Sequence, residues 1–159
     1  MNAQGVSADD LARLELFRVL PSDELAPLAA EASRRRLADG EVLFEQGRPA
    51  HSMFAILSGS LVLRSSRACR SIIVQTIGPG ETLGWSTLRA EATSLTTGRA
   101  VGDVEAIEIP SERFLDVLSG GSPGARLLIR RLFGIAAAHL DAAQSQLHRL
   151  GAEGVITGG

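Results

Sequence analysis

The sequence predicts an α+β fold: an antiparallel roll or barrel of strands, preceded by short helices and followed by one long helix. Three observations predict it. Apolar residues recur at helical spacing before Asp39 and after Pro110. Between these positions, apolar and polar residues alternate with period two, which is typical of strands. Glycine-containing turns interrupt that alternation at short intervals, which favours antiparallel strands over parallel strands joined by crossover helices.

Two short helices are predicted ahead of the sheet. Ser7 and Asp10 have the spacing of a capping box, so the first helix begins there. The second begins at Ser22, another N-cap residue, and its apolar positions form one stripe: Leu25, Leu28, Ala29 and Ala32. The basic run Arg34–Arg36 is expected at the end of that helix, where cations complement the helix dipole. A phosphate-binding patch is the alternative.

The strands are predicted to begin after the turn Asp39-Gly40. The stretches "EVLFEQG" and "SMFAILSGSLVLRSS" carry the expected inward positions: Val42, Phe44, Phe54, Ile56, Leu61 and Leu63. A further strand is predicted in "SIIVQTIGPGETLG". The last is "GRAVGDVEAIEIP", with these expected inward residues: Val101, Val104, Ile107 and Ile109. Pro110 then ends the sheet, because proline lacks the N–H that a central strand donates.

Two helices are predicted after the sheet. Ser111 is the expected N-cap of a short helix, and Ser122 followed by Pro123 begins a long one that runs to about Leu150. Residues 1–150 therefore form one domain, with the long helix at about 122–150. The tail "GAEGVITGG", residues 151–159, is expected to be disordered.

The long helix predicts an interface between two chains. Its first apolar residues, Leu128, Leu132 and Phe133, are expected to dock on the core. The later ones recur at spacings of four and three: Ala136, Leu140, Ala143, Leu147 and Leu150. That spacing is typical of a coiled-coil seam and predicts a homodimer through this helix. A helix packed only on its own barrel is the alternative.

Composition limits the function classes. Lys+Arg 16 against Asp+Glu 18 gives a net charge of -2, which offers no general attraction for nucleic acid. Neither a signal peptide nor a membrane span is expected, since the N-terminal region lacks a continuous apolar stretch. The single cysteine, Cys69, suits a reducing compartment, so a cytoplasmic protein is expected. We interpret it as a surface thiol, with a reactive thiol beside Arg67 and Arg70 as the alternative.

No chemistry of an enzyme is predicted. The histidines at 51, 139 and 148 are scattered, and neither paired carboxylates nor metal-ligand spacings occur. We therefore expect no catalytic residue, no metal site and no resident cofactor.

The turns of the strand region carry a family resemblance. Asp39-Gly40, Glu45-Gln46-Gly47, Leu57-Ser58-Gly59-Ser60-Leu61 and Gly78-Pro79-Gly80-Glu81, followed by a long helix, resemble the cyclic-nucleotide-binding domain of the catabolite activator protein and of protein kinase A regulatory subunits. The resemblance covers about Leu14 to Leu150. It implies a jelly-roll β-barrel with flanking helices and a nucleotide held between the barrel and the long helix.

The resemblance also implies a phosphate-binding cassette within "GETLGWSTLRAEATSLTTGRA", residues 80–100. Family members hold the cyclic phosphate with backbone N–H groups, with a glutamate on the ribose and with an arginine on the phosphate. Trp85, after Gly84, falls on the glutamate position, and Ser94 falls close to the arginine position. The candidate ligand-binding positions are the following: Gly84, Trp85, Ser86, Arg89, Ser94, Leu95 and Thr96.

Neither Trp85 nor Ser94 carries the charge that family members have at that position, so several functions stay open. The first is a regulatory module without an output domain that binds cyclic AMP and cyclic GMP weakly and acts through another ligand or a protein partner. The second is a true cyclic-nucleotide receptor that uses backbone amides, the cassette hydroxyls and Arg89 as the substitute cation. A DNA-binding regulator would need a helix-turn-helix after the long helix, and none is expected in the few residues that follow it.

Overall fold

A computed structural model describes residues 5–67, 70–89 and 91–155. Cys69 lies outside these described residues. The helices are α1 (Ala8–Ala12), α2 (Ser22–Glu31), α3 (Ser111–Ser119) and α4 (Pro123–Val155), with short 3-10 helices at Phe17–Val19 and Trp85–Leu88. The strands are β1 (Ser33–Leu37), β2 (Val42–Phe44), β3 (Ser52–Arg67), β4 (Arg70–Ile77), β5 (Thr82–Leu83) and β6 (Thr97–Pro110). This order confirms the predicted fold class.

The long strands β3 and β6 form the centre of an antiparallel sheet. The strand order is β1-β6-β3-β4, with β2 paired to β6 and β5 paired to β3. In the described part of the chain, β1 and β4 end this order without pairing with each other. Backbone hydrogen bonds therefore do not close the roll into a continuous barrel.

The central strands separate two apolar cores. Residues of one parity, such as Phe54, Ile56 and Ala106, pack inside the roll. Residues of the other parity, such as Met53 and Ile109, pack against the helices. Strand segments buried on both faces need apolar side chains at successive positions, which explains the continuous apolar run at residues 53–57 of β3.

The expected inward positions divide into three groups. Phe54, Ile56, Leu61 and Val104 are buried inside the roll. Val42, Phe44 and Leu63 are half-buried. Ile107 and Ile109 are buried on the helical side, and Val101 is 52% exposed. The prediction was wrong for Val101, because its neighbour Ala100 and Val104 point into the roll and Val101, of the opposite parity, points out of it.

The helix starts differ from prediction where proline precedes serine. The capping box of Ser7 and Asp10 is confirmed: the Ser7 hydroxyl accepts from the Asp10 N–H at 3.1 Å. The Ser122 cap is also confirmed, since its hydroxyl accepts from the Ala125 N–H at 2.9 Å. Ser22 and Ser111 are instead the first helical residues, because a proline takes the N-cap position before each of them.

The basic run Arg34–Arg36 lies on β1 and not at a helix end. α2 stops at Glu31, and β1 pairs with β6. Arg34 contacts Glu105 at 3.0 Å and Asp10 at 2.9 Å, so its charge ties the strand to both neighbours. The helical interpretation was wrong because it considered the arginines without the acidic residues of β6 opposite them.

The long helix α4 docks only its first turns on the core. Leu128 is fully buried and Leu132 is partly buried against the helical core, but Phe133 is 72% exposed. Docking of Phe133 was wrongly predicted: successive helical residues point about 100° apart, and the stripe of Leu128 and Leu132 already faces the core. The helix continues to Val155, past the predicted end, while residues 156–159 lie outside the described residues. No helix in the described ranges is long and apolar enough to cross a membrane.

Candidate functional site

A cavity of about 370 Å³ lies at the loop that the sequence singled out. We call residues 84–96 the cassette loop and this space the cassette cavity. Six of the seven candidate positions line it: Gly84, Trp85, Ser86, Ser94, Leu95 and Thr96. The seventh, Arg89, does not. The structure thus brings together residues from both ends of the loop, although eight residues lie between Trp85 and Ser94 in the sequence.

Gly84 is required at its position by the fold alone. Its φ is 94°, a left-handed conformation that other residues adopt only at a cost. A Cβ at this position would also lie 2.9 Å from the Ser52 carbonyl oxygen and 3.0 Å from Met53 Cα. The Thr87 hydroxyl then donates to the Gly84 carbonyl at 2.7 Å and fastens the short 3-10 helix Trp85–Leu88 to the turn. The start of the cassette loop is therefore explained without any ligand.

The end of the cassette loop is fixed by backbone hydrogen bonds. The Gly47 N–H donates to the Ser94 carbonyl at 2.8 Å, and the Ser94 N–H donates to the Arg48 carbonyl at 2.9 Å. The Ala50 N–H donates to the Ala92 carbonyl at 2.9 Å. These bonds hold Ser94 in place, with its side chain 92% buried at the cavity wall. In the described part of the chain, no protein group hydrogen-bonds its hydroxyl.

Trp85 lies between two cavities. Its half-buried ring packs against the helical core and lines the cassette cavity. The same ring lines an apolar cavity of about 540 Å³ beside α4, together with residues such as Leu132 and Phe133. Its indole Nε1 is buried and has no hydrogen-bond partner among the described residues. An unpaired buried N–H costs about 1–3 kcal/mol, so the site carries an unused donor.

Sequence reasoning missed half of the cavity wall. Phe44 and Phe54 form one side of it as a stacked pair with ring centroids 5.9 Å apart. His51 and Glu108 contribute the ionisable groups. The inward alternation of β2 and β3 could have indicated the phenylalanines. Nothing in the sequence places Glu108 near the loop, since only the pairing of β3 with β6 brings it there.

The electrostatics of the cavity do not favour an anion. Of the described residues that line it, none is an arginine or a lysine. Glu108 contributes a carboxylate, which also contacts Arg35 at 3.2 Å. Among the residues the structure describes, no cluster of three His, Cys, Asp or Glu side chains could hold a metal ion.

The sequence comparison identifies the family. A sequence model of the cyclic nucleotide-binding domain matches residues 34–120, which is more than half of the chain. The chain belongs to the cyclic nucleotide-binding domain family. The matched range contains the whole sheet except the first residue of β1, together with the cassette loop and α3. The predicted resemblance is thereby confirmed.

Solved structures share the fold of this cyclic nucleotide-binding domain. The sensor domain of the transcriptional regulator DNR from Pseudomonas aeruginosa matches at 22% identity and a TM-score of 0.70, over 80% of this chain and 91% of that domain. The catabolite activator protein of Thermus thermophilus matches at 24% and 0.71, over 86% of this chain and 62% of that protein. The regulatory domain of Toxoplasma gondii PKA, solved with cAMP, matches at 18% and 0.67, over 80% and 48%.

Neither nearby arginine of the domain reaches the cassette cavity. Arg89 is exposed and lines a neighbouring cavity of about 620 Å³ instead. Arg99 lies on β6, where its guanidinium donates to the Gly40 carbonyl at 2.5 Å. The expectation that Arg99 belongs to the following strand is confirmed. Neither arginine is among the described residues that line the cassette cavity.

Proposed function

We propose that this cyclic nucleotide-binding domain is a regulatory sensor module that does not bind cyclic AMP or cyclic GMP tightly. It acts through a different ligand or a protein partner. One observation carries the proposal: the cassette cavity has a carboxylate and a tryptophan ring in its wall and no arginine among its described lining residues. A cyclic phosphate is an anion, and no arginine or lysine among the described lining residues could pair with it; the Glu108 carboxylate in the wall is itself paired with Arg35 and offers the phosphate no attraction.

The size of the loss supports weak binding. A charge-assisted contact of an arginine with a phosphate is worth about 1.5–3 kcal/mol, or about tenfold to a hundredfold in affinity. Trp85 also replaces a carboxylate that would accept from the ribose hydroxyl, which removes a second contact. Together the two losses amount to a factor of about 100 to 10,000.

A genuine receptor with an unusual cassette is the second candidate. Four residues with uncommitted hydroxyls line the cavity: Ser52, Ser86, Ser94 and Thr96. None of these hydroxyls is used in a hydrogen bond with another described group, so all four are free to donate to phosphate oxygens. Thr87 also lines the cavity, but its hydroxyl donates to the Gly84 carbonyl.

Assembly as a homodimer through α4 completes the proposal. Phe133, Leu140 and Leu147 are 72%, 59% and 69% exposed, and they recur every seven residues. This heptad spacing extends the predicted seam toward the domain, and such a stripe buries itself when two helices pair. The side chains of Ala143 and Leu150, the other predicted seam residues, lie outside the described ones. We place this dimer in the cytoplasm, without a role for nucleic acid or membrane.

Titration calorimetry with cyclic AMP and cyclic GMP tests the proposed function. The unmodified chain should bind neither nucleotide more tightly than about 100 μM, equivalent to about 5.5 kcal/mol. The double variant Trp85→Glu with Ser94→Arg should gain at least tenfold in affinity for cyclic AMP. The arginine would start from a backbone position that is already fixed at the cavity wall.

Two single variants complete the experiment. Trp85→Phe keeps an aromatic ring and removes the unpaired indole N–H, so it should fold normally and gain no affinity. Ser94→Arg alone should recover part of the gain, since it supplies the cation without removing core packing. A micromolar dissociation constant for the unmodified chain would refute the proposal and favour the receptor with an unusual cassette.

A further inference from the structure

The hairpin formed by the end of β3 and by β4 presents an open edge of the sheet. β4 stands at one end of the strand order and pairs with β3 alone. In the described part of the chain, no backbone group outside this ladder pairs with β4. An exposed edge of this kind is a template on which another extended chain can add a strand.

Two other unpaired parts of the sheet, at β1 and at the end of β3, are partly covered. At the opposite end, β1 receives a bridge from Gly5, and Arg34 joins it to Asp10. Beyond Arg64, where β6 no longer accompanies β3, the side-chain amide of Gln46 takes over. It accepts from the Ser66 N–H at 2.8 Å and donates to the Ser66 carbonyl at 3.3 Å, as a neighbouring strand would. Among the described residues, no comparable bridge or side-chain cap lies on the β4 edge.

The open strand carries apolar residues that no part of the domain buries. Ile72, Ile73 and Val74 are 63%, 57% and 47% exposed. Because successive residues of a strand point to opposite faces, Ile72 and Ile73 present one isoleucine on each face of the hairpin. A run of exposed β-branched residues on a free edge favours strand addition.

Positive charge accompanies this apolar run. Arg64, Arg67 and Arg70 are exposed, and none has an ion pair or hydrogen-bond partner among the described residues. The sequence from residue 60 to residue 80 contains these three arginines and no acidic residue, although the whole chain has a net charge of -2. Register places Arg67 beside Arg70 and Arg64 beside Ile73. The hairpin is therefore an isolated cationic surface.

We propose that the β4 edge binds an extended, acidic segment of a partner protein by β-strand addition. Backbone hydrogen bonds to the outer edge of β4 supply the alignment, β-branched side chains cover Ile72 and Ile73, and carboxylates pair with the three arginines. The β4 edge is separate from the cassette cavity, so this proposal does not depend on whether the chain binds a nucleotide. It supplies the protein contact through which a sensor module can act.

A peptide as long as β4, with alternating valine and glutamate and blocked ends, is the direct probe. Fluorescence anisotropy should show binding that weakens with added salt, and amide hydrogen exchange should show protection of β4 on binding. A matched peptide with lysine in place of glutamate and one with proline in place of every second valine should bind at least tenfold more weakly. Equal binding of either control peptide would overturn the proposal.

Variants of the chain locate the contact. Arg67→Glu with Arg70→Glu should lower the affinity for the acidic peptide at least tenfold. The matched control, Arg13→Glu with Arg18→Glu, makes the same charge change at exposed arginines on another surface and should leave the affinity unchanged. Ile73→Lys, a charge on the free edge, should also abolish binding while the thermal midpoint stays that of the parent.

Two further measurements test for other occupants of the β4 edge. If Ile73→Lys converts a dimer into a monomer in sedimentation, β4 pairs with a second copy and the proposal is overturned. If the chain binds vesicles of phosphatidylcholine with phosphatidylserine but not the acidic peptide, the hairpin is a membrane contact, and the proposal is equally overturned. Peptide binding that needs both the arginines and the free edge supports it.

Discussion

Replacing Gly84 by alanine tests whether the cassette loop is held by the fold and not by a ligand. The left-handed backbone, with φ of 94°, costs an alanine about 1–2 kcal/mol. The new Cβ would approach the Ser52 carbonyl oxygen to 2.9 Å, and relieving that overlap in a packed region costs about 1–3 kcal/mol. We therefore expect a loss of about 2–5 kcal/mol in the free energy of unfolding, measured without any nucleotide.

The matched control is Gly80→Ala in the preceding turn. Gly80 has a similar φ of 85°, but a Cβ there would meet no atom within 4 Å. It should lose only the backbone contribution, about 1–2 kcal/mol. Urea unfolding followed by circular dichroism measures both variants, and each kcal/mol lowers the thermal midpoint by about 2–4 °C in a domain of this size. Equal losses in the two variants would show that the close approach to β3 does not constrain the loop.

Two further predictions concern the helices. The double variant Leu140→Glu with Leu147→Glu should convert a dimer into a monomer, because both side chains are exposed on the proposed seam. A parent chain that sediments as a monomer at tens of micromolar would contradict the seam. Hydrogen bonds from Ser7, and then the Arg34 guanidinium, lower the pKa of Asp10. The ionised carboxylate therefore stabilises the fold at any pH above the ordinary carboxyl pKa. This stabilisation is lost as the pH falls through the lowered pKa. Asp10→Asn should therefore cost about 1 kcal/mol near neutral pH in urea unfolding, and this cost should shrink as the pH falls below the ordinary carboxyl pKa. A cost that does not change with pH would contradict the assignment.

The sequence predicted features that depend on local chemistry. Glycine-containing turns marked the strand boundaries, and the capping residues Ser7 and Ser122 marked two helix starts. It failed where a distant partner decides the outcome. Arg34 lies on a strand because Glu105, 71 positions away, lies close to it on β6. Sequence alone could not reveal that pairing, since an arginine run is equally compatible with a helix end.

The candidate site also has one part that could be predicted from the sequence and one part that could not. The family resemblance implied the position of the loop, through Gly84 and the hydroxyl-rich stretch around Ser94. The opposite wall, with His51 and Glu108, comes from segments that only the antiparallel pairing brings together. The receptor hypothesis used Arg89 as the cation because it lies close to Trp85 in the sequence. The extended backbone at Arg89 leaves its side chain exposed beside a different cavity.

The structure also explains how such a loop could lose its ligand contacts and keep its shape. One end of the loop is fixed by the Gly84 turn against β3. The other is fixed by backbone hydrogen bonds with Gly47, Arg48 and Ala50. None of these bonds uses the side chain of Trp85 or Ser94. Substitution at the two positions where ligand charges are expected therefore leaves these bonds in place, while it changes what the cavity can bind. The fold thus places no electrostatic requirement on the cavity, and the charges in its wall decide which ligand it accepts.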